Sequence, residues 1–155
     1  MSTLAAMYEF FVSYSRRDAD FARAVAESLA RLGVSAWIAE SEILIEGRKR
    51  LEDRNILRDI LAEAATASRR CLLLVSPHAL DSEWVMEVEI PSFLQREGTQ
   101  RAQVMWPVIV GLDADAVRGR WPAALSEHAV PECRTVADVD AVVRELCGAA
   151  GLTVP

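Results

Sequence analysis

Residues 71–76, CLLLVS, decide the fold of this chain. The five residues before Ser76 are all apolar, so the segment has no polar face. Such continuous apolar runs are typical of strands that are covered on both sides, which occur mainly in parallel sheets flanked by helices. The run therefore predicts an inner strand of an α/β protein.

Three further segments, two before this run and one after it, are predicted to be strands. Residues 8–14, 34–38 and 104–110 are short and rich in apolar β-branched or aromatic side chains. Pro107 has no amide hydrogen for a ladder hydrogen bond, so its strand is expected at a sheet edge or with a bulge.

Between the strands, apolar side chains recur at helical spacing. The first helix is expected to begin at Asp18, which is a capping residue type, and to close at Gly33. The second covers residues 56–68, and the third begins around Ser82. The last covers residues 135–148, behind a threonine and an aspartate spaced as in a capping box.

Strands that alternate with helices predict βαβ units with right-handed crossovers. We expect a flavodoxin-like three-layer sandwich with a central parallel sheet of four or five strands. Residues 8–152 are predicted to form one domain, after a flexible N-terminus at residues 1–7. Ligands of such folds bind beyond the carboxyl ends of the strands, here residues 13–18, 39–50 and 77–84.

Composition and charge argue against several classes of function. The 155 residues carry a net charge of −6 with a pI near 5.0, which argues against nucleic-acid binding. No apolar run approaches the roughly 18 residues of a membrane span, and no secretory signal is recognisable, so we expect a cytoplasmic protein. Cys71, Cys133 and Cys147 fit reduced thiols. His78 and His128 stand alone in the sequence, so no metal site is expected.

The residues at the strand ends also argue against two familiar functions of this architecture, nucleotide binding and phosphate reception. Nucleotide-binding loops need glycines after the first strand, and this chain has none before Gly33. A receiver domain needs acidic residues where this chain has Ser13, Ser15 and Ser76.

Three segments together resemble the Toll/interleukin receptor (TIR) domain, especially its bacterial branch. They are YEFFVSYSRRD (8–18), GVSAWIAESEILIEG (33–47) and LLLVSPHALDSEWVMEVEIP (72–91). The resemblance implies a five-stranded parallel sheet, with residues 39–50 as a mobile loop. It also implies one of two functions. The first is an NAD+ glycohydrolase or cyclase that cleaves the nicotinamide–ribose bond; the second is a non-catalytic interaction or adaptor module.

The resemblance implies one essential glutamate, four residues after an aromatic residue in many catalytic members. Trp84 plus four is Val88, whereas the acids are Glu87 and Glu89. On a regular helix with about 100° per residue, Glu87 would lie about 60° from Trp84 and Glu89 about 140° away. Helical geometry alone therefore favours Glu87.

Pro91 changes that expectation. The segment EVEIP resembles a bacterial variant of the motif, in which the acid sits one residue later. Pro91 lacks an amide hydrogen and clashes with the carbonyl of Glu87, which predicts a kink or a π-bulge. A π-bulge would bring Glu89 back toward the side of Trp84. We therefore expect Glu89 as the catalytic acid, with Glu87 as the alternative.

The resemblance further implies a set of substrate-binding residues at the strand ends. They are Ser13, Ser15, Arg16, Asp18, Trp37, Ser82 and Trp84. The guanidinium of Arg16 suits a pyrophosphate. Four of these residues have structural alternatives: Asp18 as a helix cap, Arg16 as a solvated edge, Trp37 as core, and Trp84 as an anchor of its helix.

NAD+ cleavage suits a single carboxylate. Nicotinamide leaves as a neutral molecule, so no general acid is needed, and positive charge develops on the ribose. A carboxylate 4 Å away at an effective dielectric of 20 contributes about 4 kcal/mol. No metal or cofactor is required, because NAD+ is the substrate. The resemblance implies antiphage defence, activation by homotypic TIR–TIR assembly, and a separate sensor or a longer parent chain.

Overall fold

The structure, a computed structural model, describes residues 8–38 and 54–154. The side chains of residues 54–59 and of Trp84 lie outside this description. Two expected segments, the N-terminus at residues 1–7 and the loop at residues 39–50, lie outside the described residues as well.

Five parallel strands form one sheet in the order β2-β1-β3-β4-β5. They are β1 (Tyr8–Ser13), β2 (Ala36–Ile38), β3 (Ser68–Val75), β4 (Met105–Val110) and β5 (Glu132–Cys133). The flavodoxin-like fold and the five-stranded sheet are thus confirmed. In this order the chain reverses direction across the sheet between β1 and β3, where ligands of such folds bind.

Helices cover the sheet on both faces. The described helices are α1 (Ala19–Arg31), α2 (Arg54–Thr66), α3 (Pro77–Leu80), α4 (Ile90–Gln100), α5 (Ala114–Gly119) and α6 (Val139–Ala149). A π-helical turn at Trp84–Glu89 runs directly into α4, and a 3-10 turn at Arg16–Asp18 precedes α1. In the described part of the chain, no helix is both long and apolar enough to cross a membrane.

Two cores lie on opposite faces of the sheet, because successive side chains of a strand point to opposite sides. Phe10, Val12 and Leu72 pack with α1 and α6 on one face. Phe11 and Leu73 pack with α2, α4 and α5 on the other face. The second face is the one that carries the site.

The edge-strand expectation for Pro107 is wrong, since β4 lies between β3 and β5. On the β5 side, however, only Ile109 and Val110 have strand partners. The amide of Ile109 donates toward that side, to the carbonyl of Pro131. Residues two apart on a strand share one orientation. The missing N–H of Pro107 therefore faces the side where β5 has not begun.

The predicted helix ends are largely confirmed. Gly33, with a φ of 73°, follows α1 in the left-handed conformation that favours glycine. Thr135 and Asp138 form the expected reciprocal capping box. The second helix ends at Thr66, slightly before the expected position, because Ser68 already belongs to β3.

Candidate active site

The π-helical turn forms where Pro91 interrupts the α-helical ladder. Pro91 has no amide hydrogen to donate to the carbonyl of Glu87. Just before it, the amide of Ile90 donates to the carbonyl of Val85, five residues back, which is the π-helical pairing. The bulge expected from Pro91 is therefore present.

This turn gives the two candidate acids different environments. Glu89 is buried, with 8% of its surface exposed, and it lies where the turn enters α4. Glu87 is exposed to solvent. Glu89 lines the cleft described next, and Glu87 is not among its described lining residues. The assignment of the catalytic acid to Glu89 stays a prediction, and the geometry favours it over Glu87.

The cleft has a volume of about 100 Å³ and lies beyond the carboxyl ends of β1 and β2. Five of the residues predicted from the sequence line it: Ser13, Arg16, Trp37, Ser82 and Glu89. The other described residues that line it are Phe11, Val12, Tyr14, Leu61 and Val85. Strand ends and the π-helical turn thus meet at one place.

Ser13 and Trp37 have the clearest features for ligand contact. Ser13 is 3% exposed, and its hydroxyl finds no hydrogen-bond partner among residues 8–38 and 54–154. The ring of Trp37 stacks on Phe11, with centroids 5.2 Å apart and an angle of 7° between the planes. Half-buried Trp37 therefore packs on the core and lines the cleft with the same side chain.

Asp18 lies outside the lining residues of the cleft. It occupies the N-cap position of α1, but its carboxylate makes no capping hydrogen bond there. It accepts a hydrogen bond from the hydroxyl of Ser76 instead. Asp18 therefore stands at the start of the helix, as expected, but its side chain does not cap it.

Ser76, Ser82 and Ser15 shape the backbone around the cleft. The hydroxyl of Ser76 accepts from the amide of Ala79 (3.1 Å) and so caps α3. The hydroxyl of Ser82 accepts from the amide of Val85 (3.3 Å) and supports the start of the π-helical turn. Ser15 lies outside the described lining, and its carbonyl closes the 3-10 turn at Arg16–Asp18. The side chain of Trp84 lies outside the description.

A larger cavity, of about 440 Å³, opens between α2 and α4. It shares three lining residues with the cleft: Phe11, Leu61 and Glu89. Its other lining residues are Ala62, Ala65, Thr66, Val88, Ser92, Phe93, Arg96 and Gln100. This cavity was not predicted from the sequence. A recognisable signal was the 4-3-4 spacing of Glu89, Phe93, Arg96 and Gln100, which places polar groups on one helix face.

The buried thiols have no nucleophilic role at neutral pH. Burial raises the pKa of Cys71 well above its usual value, and the negative charge of nearby Glu89 adds to the rise. Burial also raises the pKa of Cys147, and it raises that of Cys133 to about 11. Because the thiolate is the reactive form, these cysteines serve as small core side chains.

His128 stands alone in the sequence, but it has a close partner in the fold. In the fold, Nε2 of His128 lies 2.9 Å and 3.0 Å from the two carboxylate oxygens of Glu97. His78 is exposed. The described residues contain no group of three or more His, Cys, Asp or Glu side chains that could hold a metal ion.

Comparisons with known proteins agree with this architecture. The TIR-STING receptor from C. gigas, solved with and without 2',3'-cGAMP, has a TM-score of 0.59 and 20% identity. The match covers 92% of this chain but only 41–42% of the receptor chain, so this chain spans about two fifths of its length. The TIR domain of the Toll-related receptor TRR-2 from Hydra magnipapillata has a TM-score of 0.59 and 12% identity. That match covers 94% of this chain and 99% of the Hydra chain.

At these identities the solved structures show likeness of fold. A search of curated protein sequences gives no match. The family model described as "TIR domain" matches residues 10–143, which is most of the chain. The chain therefore belongs to the TIR domain family.

Proposed function

We propose that this TIR domain cleaves NAD+ at the nicotinamide–ribose bond, with Glu89 as the catalytic carboxylate. The observation that carries the proposal is the position of Glu89. It is buried to 8% exposure, yet it lines a cleft together with Ser13, Arg16 and Trp37. A carboxylate held out of bulk water acts in a medium of low dielectric, where its effect on a developing positive charge is largest.

Three cleft residues have a task in this reaction. The hydroxyl of Ser13 can donate and accept, which suits a ribose hydroxyl or the nicotinamide carboxamide. Arg16 is exposed at the mouth, where its guanidinium suits the pyrophosphate. Glu89 would stabilise the oxocarbenium-like ribose as neutral nicotinamide departs. The ribose carbon that has lost nicotinamide then bonds to water, which gives ADP-ribose and a proton, or to a nucleophilic atom of the same ADP-ribose part, which gives a cyclic isomer.

The size of the cleft supports activation by assembly. Its volume of about 100 Å³ is below the roughly 300–1,000 Å³ of small-molecule sites, so it would hold only part of NAD+. A second copy of the domain would supply further contacts. We therefore expect the turnover per protomer to rise with protein concentration or crowding. A rate per protomer that is independent of concentration would contradict this activation.

The proposed biological role rests on the resemblance to bacterial TIR domains. We propose a cytoplasmic role in bacterial antiphage immunity, in which NAD+ consumption follows a signal from a separate sensor or from a longer parent chain. The alternative is a non-catalytic module that joins other TIR domains.

The two functions are separated by incubating concentrated protein with NAD+ under crowding and identifying the products by mass spectrometry. Release of nicotinamide, together with ADP-ribose or a cyclic isomer, is expected. If self-association is measured, the fold is intact and NAD+ stays unchanged, the enzymatic proposal is overturned in favour of the interaction module.

A further inference from the structure

We propose that the cavity between α2 and α4 is a second ligand site, for a small aromatic molecule with a cationic group at one end and a carboxylate at the other. The site runs between the two helices, away from the cleft at the strand ends, although the two share Phe11, Leu61 and Glu89. The proposal concerns a ligand other than NAD+.

The cavity is formed by two unlike helix faces. Glu89, Phe93, Arg96 and Gln100 follow one another at spacings of four, three and four residues, so they share a face at the start of and along α4. Opposite them, α2 contributes Ala62, Ala65 and Thr66, whose side chains are small. Because long side chains face short ones, the two helices leave room between them.

The size and walls of the cavity match those of small-molecule sites. A volume of about 440 Å³ falls within the roughly 300–1,000 Å³ of ligand pockets. The rings of Phe11 and Phe93 lie 5.8 Å apart between centroids and are tilted by 38°. Leu61 and Ala65 complete an apolar wall. Both rings are almost fully buried, at 2% and 1% exposure, so they form the base of the cavity, and a flat, aromatic body would pack against that base.

Opposite charges mark the two ends. Glu89 and Arg96 are seven residues apart, which separates their backbone positions by about 10 Å along a helix at 1.5 Å per residue. The guanidinium of Arg96 donates to the carbonyls of Ala65 (3.2 Å), Ser68 (2.7 Å) and Arg69 (3.2 Å). These bonds use three of its five N–H donors and fix its position. A ligand carboxylate would pair with Arg96 and a ligand cation with Glu89.

A ligand bound in the cavity would affect the cleft, because Glu89 lines both. A cation paired with the Glu89 carboxylate would cancel the charge that the developing ribose cation needs. The ligand would therefore inhibit NAD+ cleavage. This consequence rests on the proposed function, whereas binding itself does not.

Calorimetry without NAD+ tests the site directly. The probe is 4'-(aminomethyl)biphenyl-4-carboxylate, which carries the two charged groups at opposite ends of a biphenyl. The two controls are biphenyl-4-carboxylate and 4-(aminomethyl)biphenyl, each of which lacks one charge. We expect the two-ended probe to bind at least tenfold more tightly than either control. No binding, or equal affinity for all three compounds, would overturn the proposal.

Two variants locate the binding. Ala65→Leu fills the cavity from α2, and Ser92→Leu fills it from α4, so a folding failure of one leaves the other as a test. Both are expected to lose at least tenfold in affinity. Ala116→Leu makes the same kind of change at an exposed position on α5 and should bind as wild type does. Unchanged affinity in the folded filling variants would place the probe elsewhere and refute the site.

Discussion

The hydroxyl of Ser76 donates a hydrogen bond to the carboxylate of Asp18, which joins the end of β3 to the turn after β1. The same hydroxyl caps α3 through the amide of Ala79. One serine therefore connects the two strand ends between which the sheet order reverses, and it does so directly before the segment that leads to Glu89.

The first prediction concerns that pair. Ser76→Ala should lower the free energy of unfolding by about 1–2 kcal/mol, because a helix cap and a hydrogen bond to a charged group are lost together. In an Asp18→Ala background the same change should cost at least 0.5 kcal/mol less. Urea denaturation of the single and double variants measures both values. Strict additivity would contradict the coupling, and Ser126→Ala, at an exposed position, serves as the control.

The second prediction concerns Pro91. Pro91→Ala restores an amide that can bond to the carbonyl of Glu87, so the π-helical turn should relax toward an α-helix. Glu89 would then rotate away from the cleft. Nicotinamide release should fall at least tenfold while the melting temperature stays the same or rises. Pro131→Ala, outside this helix, should leave the rate unchanged, and wild-type activity in Pro91→Ala would contradict a role for the turn.

The third prediction concerns Glu97, which supports the start of β4. Its Oε2 accepts from the amides of Val104 (2.9 Å) and Met105 (2.7 Å). Removal of the carboxylate leaves both donors without this acceptor, and each such loss costs about 1–3 kcal/mol. Glu97→Ala should therefore destabilise the fold by about 3 kcal/mol in urea denaturation. Exposed Glu127→Ala should change stability by less than about 0.5 kcal/mol, and a similarly small effect at Glu97 would refute the support role.

The fourth prediction concerns the pH dependence of stability. Burial raises the pKa of Cys133 to about 11, above its value in the unfolded chain. The folded state then holds the thiol proton where the unfolded state has released it, so this contribution to stability is complete below about pH 9 and is lost as the pH rises through 11. Denaturation between pH 8 and 11 should show a shallower decline for Cys133→Ala than for wild type. Parallel curves would contradict the raised pKa.

Much of the fold could be predicted because its long elements carry strong periodic patterns. The run at Cys71–Val75 indicated an inner strand, and the amphipathic spacing of α1 and α6 indicated their faces. Short elements carry too little pattern. β5 has only two residues, and α3 has four, so neither was located from the sequence.

The candidate site was predicted where parallel strands bring their ends together, which is why Ser13, Arg16, Trp37 and Glu89 meet at one cleft. Asp18 stands at the N-cap position of α1, but its side chain neither caps the helix nor lines the cleft, and a local sequence window cannot show this. Its actual partner, Ser76, lies 58 residues away. The cavity between α2 and α4 was missed for a similar reason, since it depends on which faces of two distant helices meet.

The most direct test of the central claim compares nicotinamide release by Glu89→Gln and Glu87→Gln, each in concentrated, folded protein beside wild type. Loss of a carboxylate worth about 4 kcal/mol predicts a fall of about a thousandfold for Glu89→Gln. Glu87→Gln, at an exposed position, should stay within about threefold of wild type. Equal losses in the two variants, or full activity in Glu89→Gln, would contradict the account.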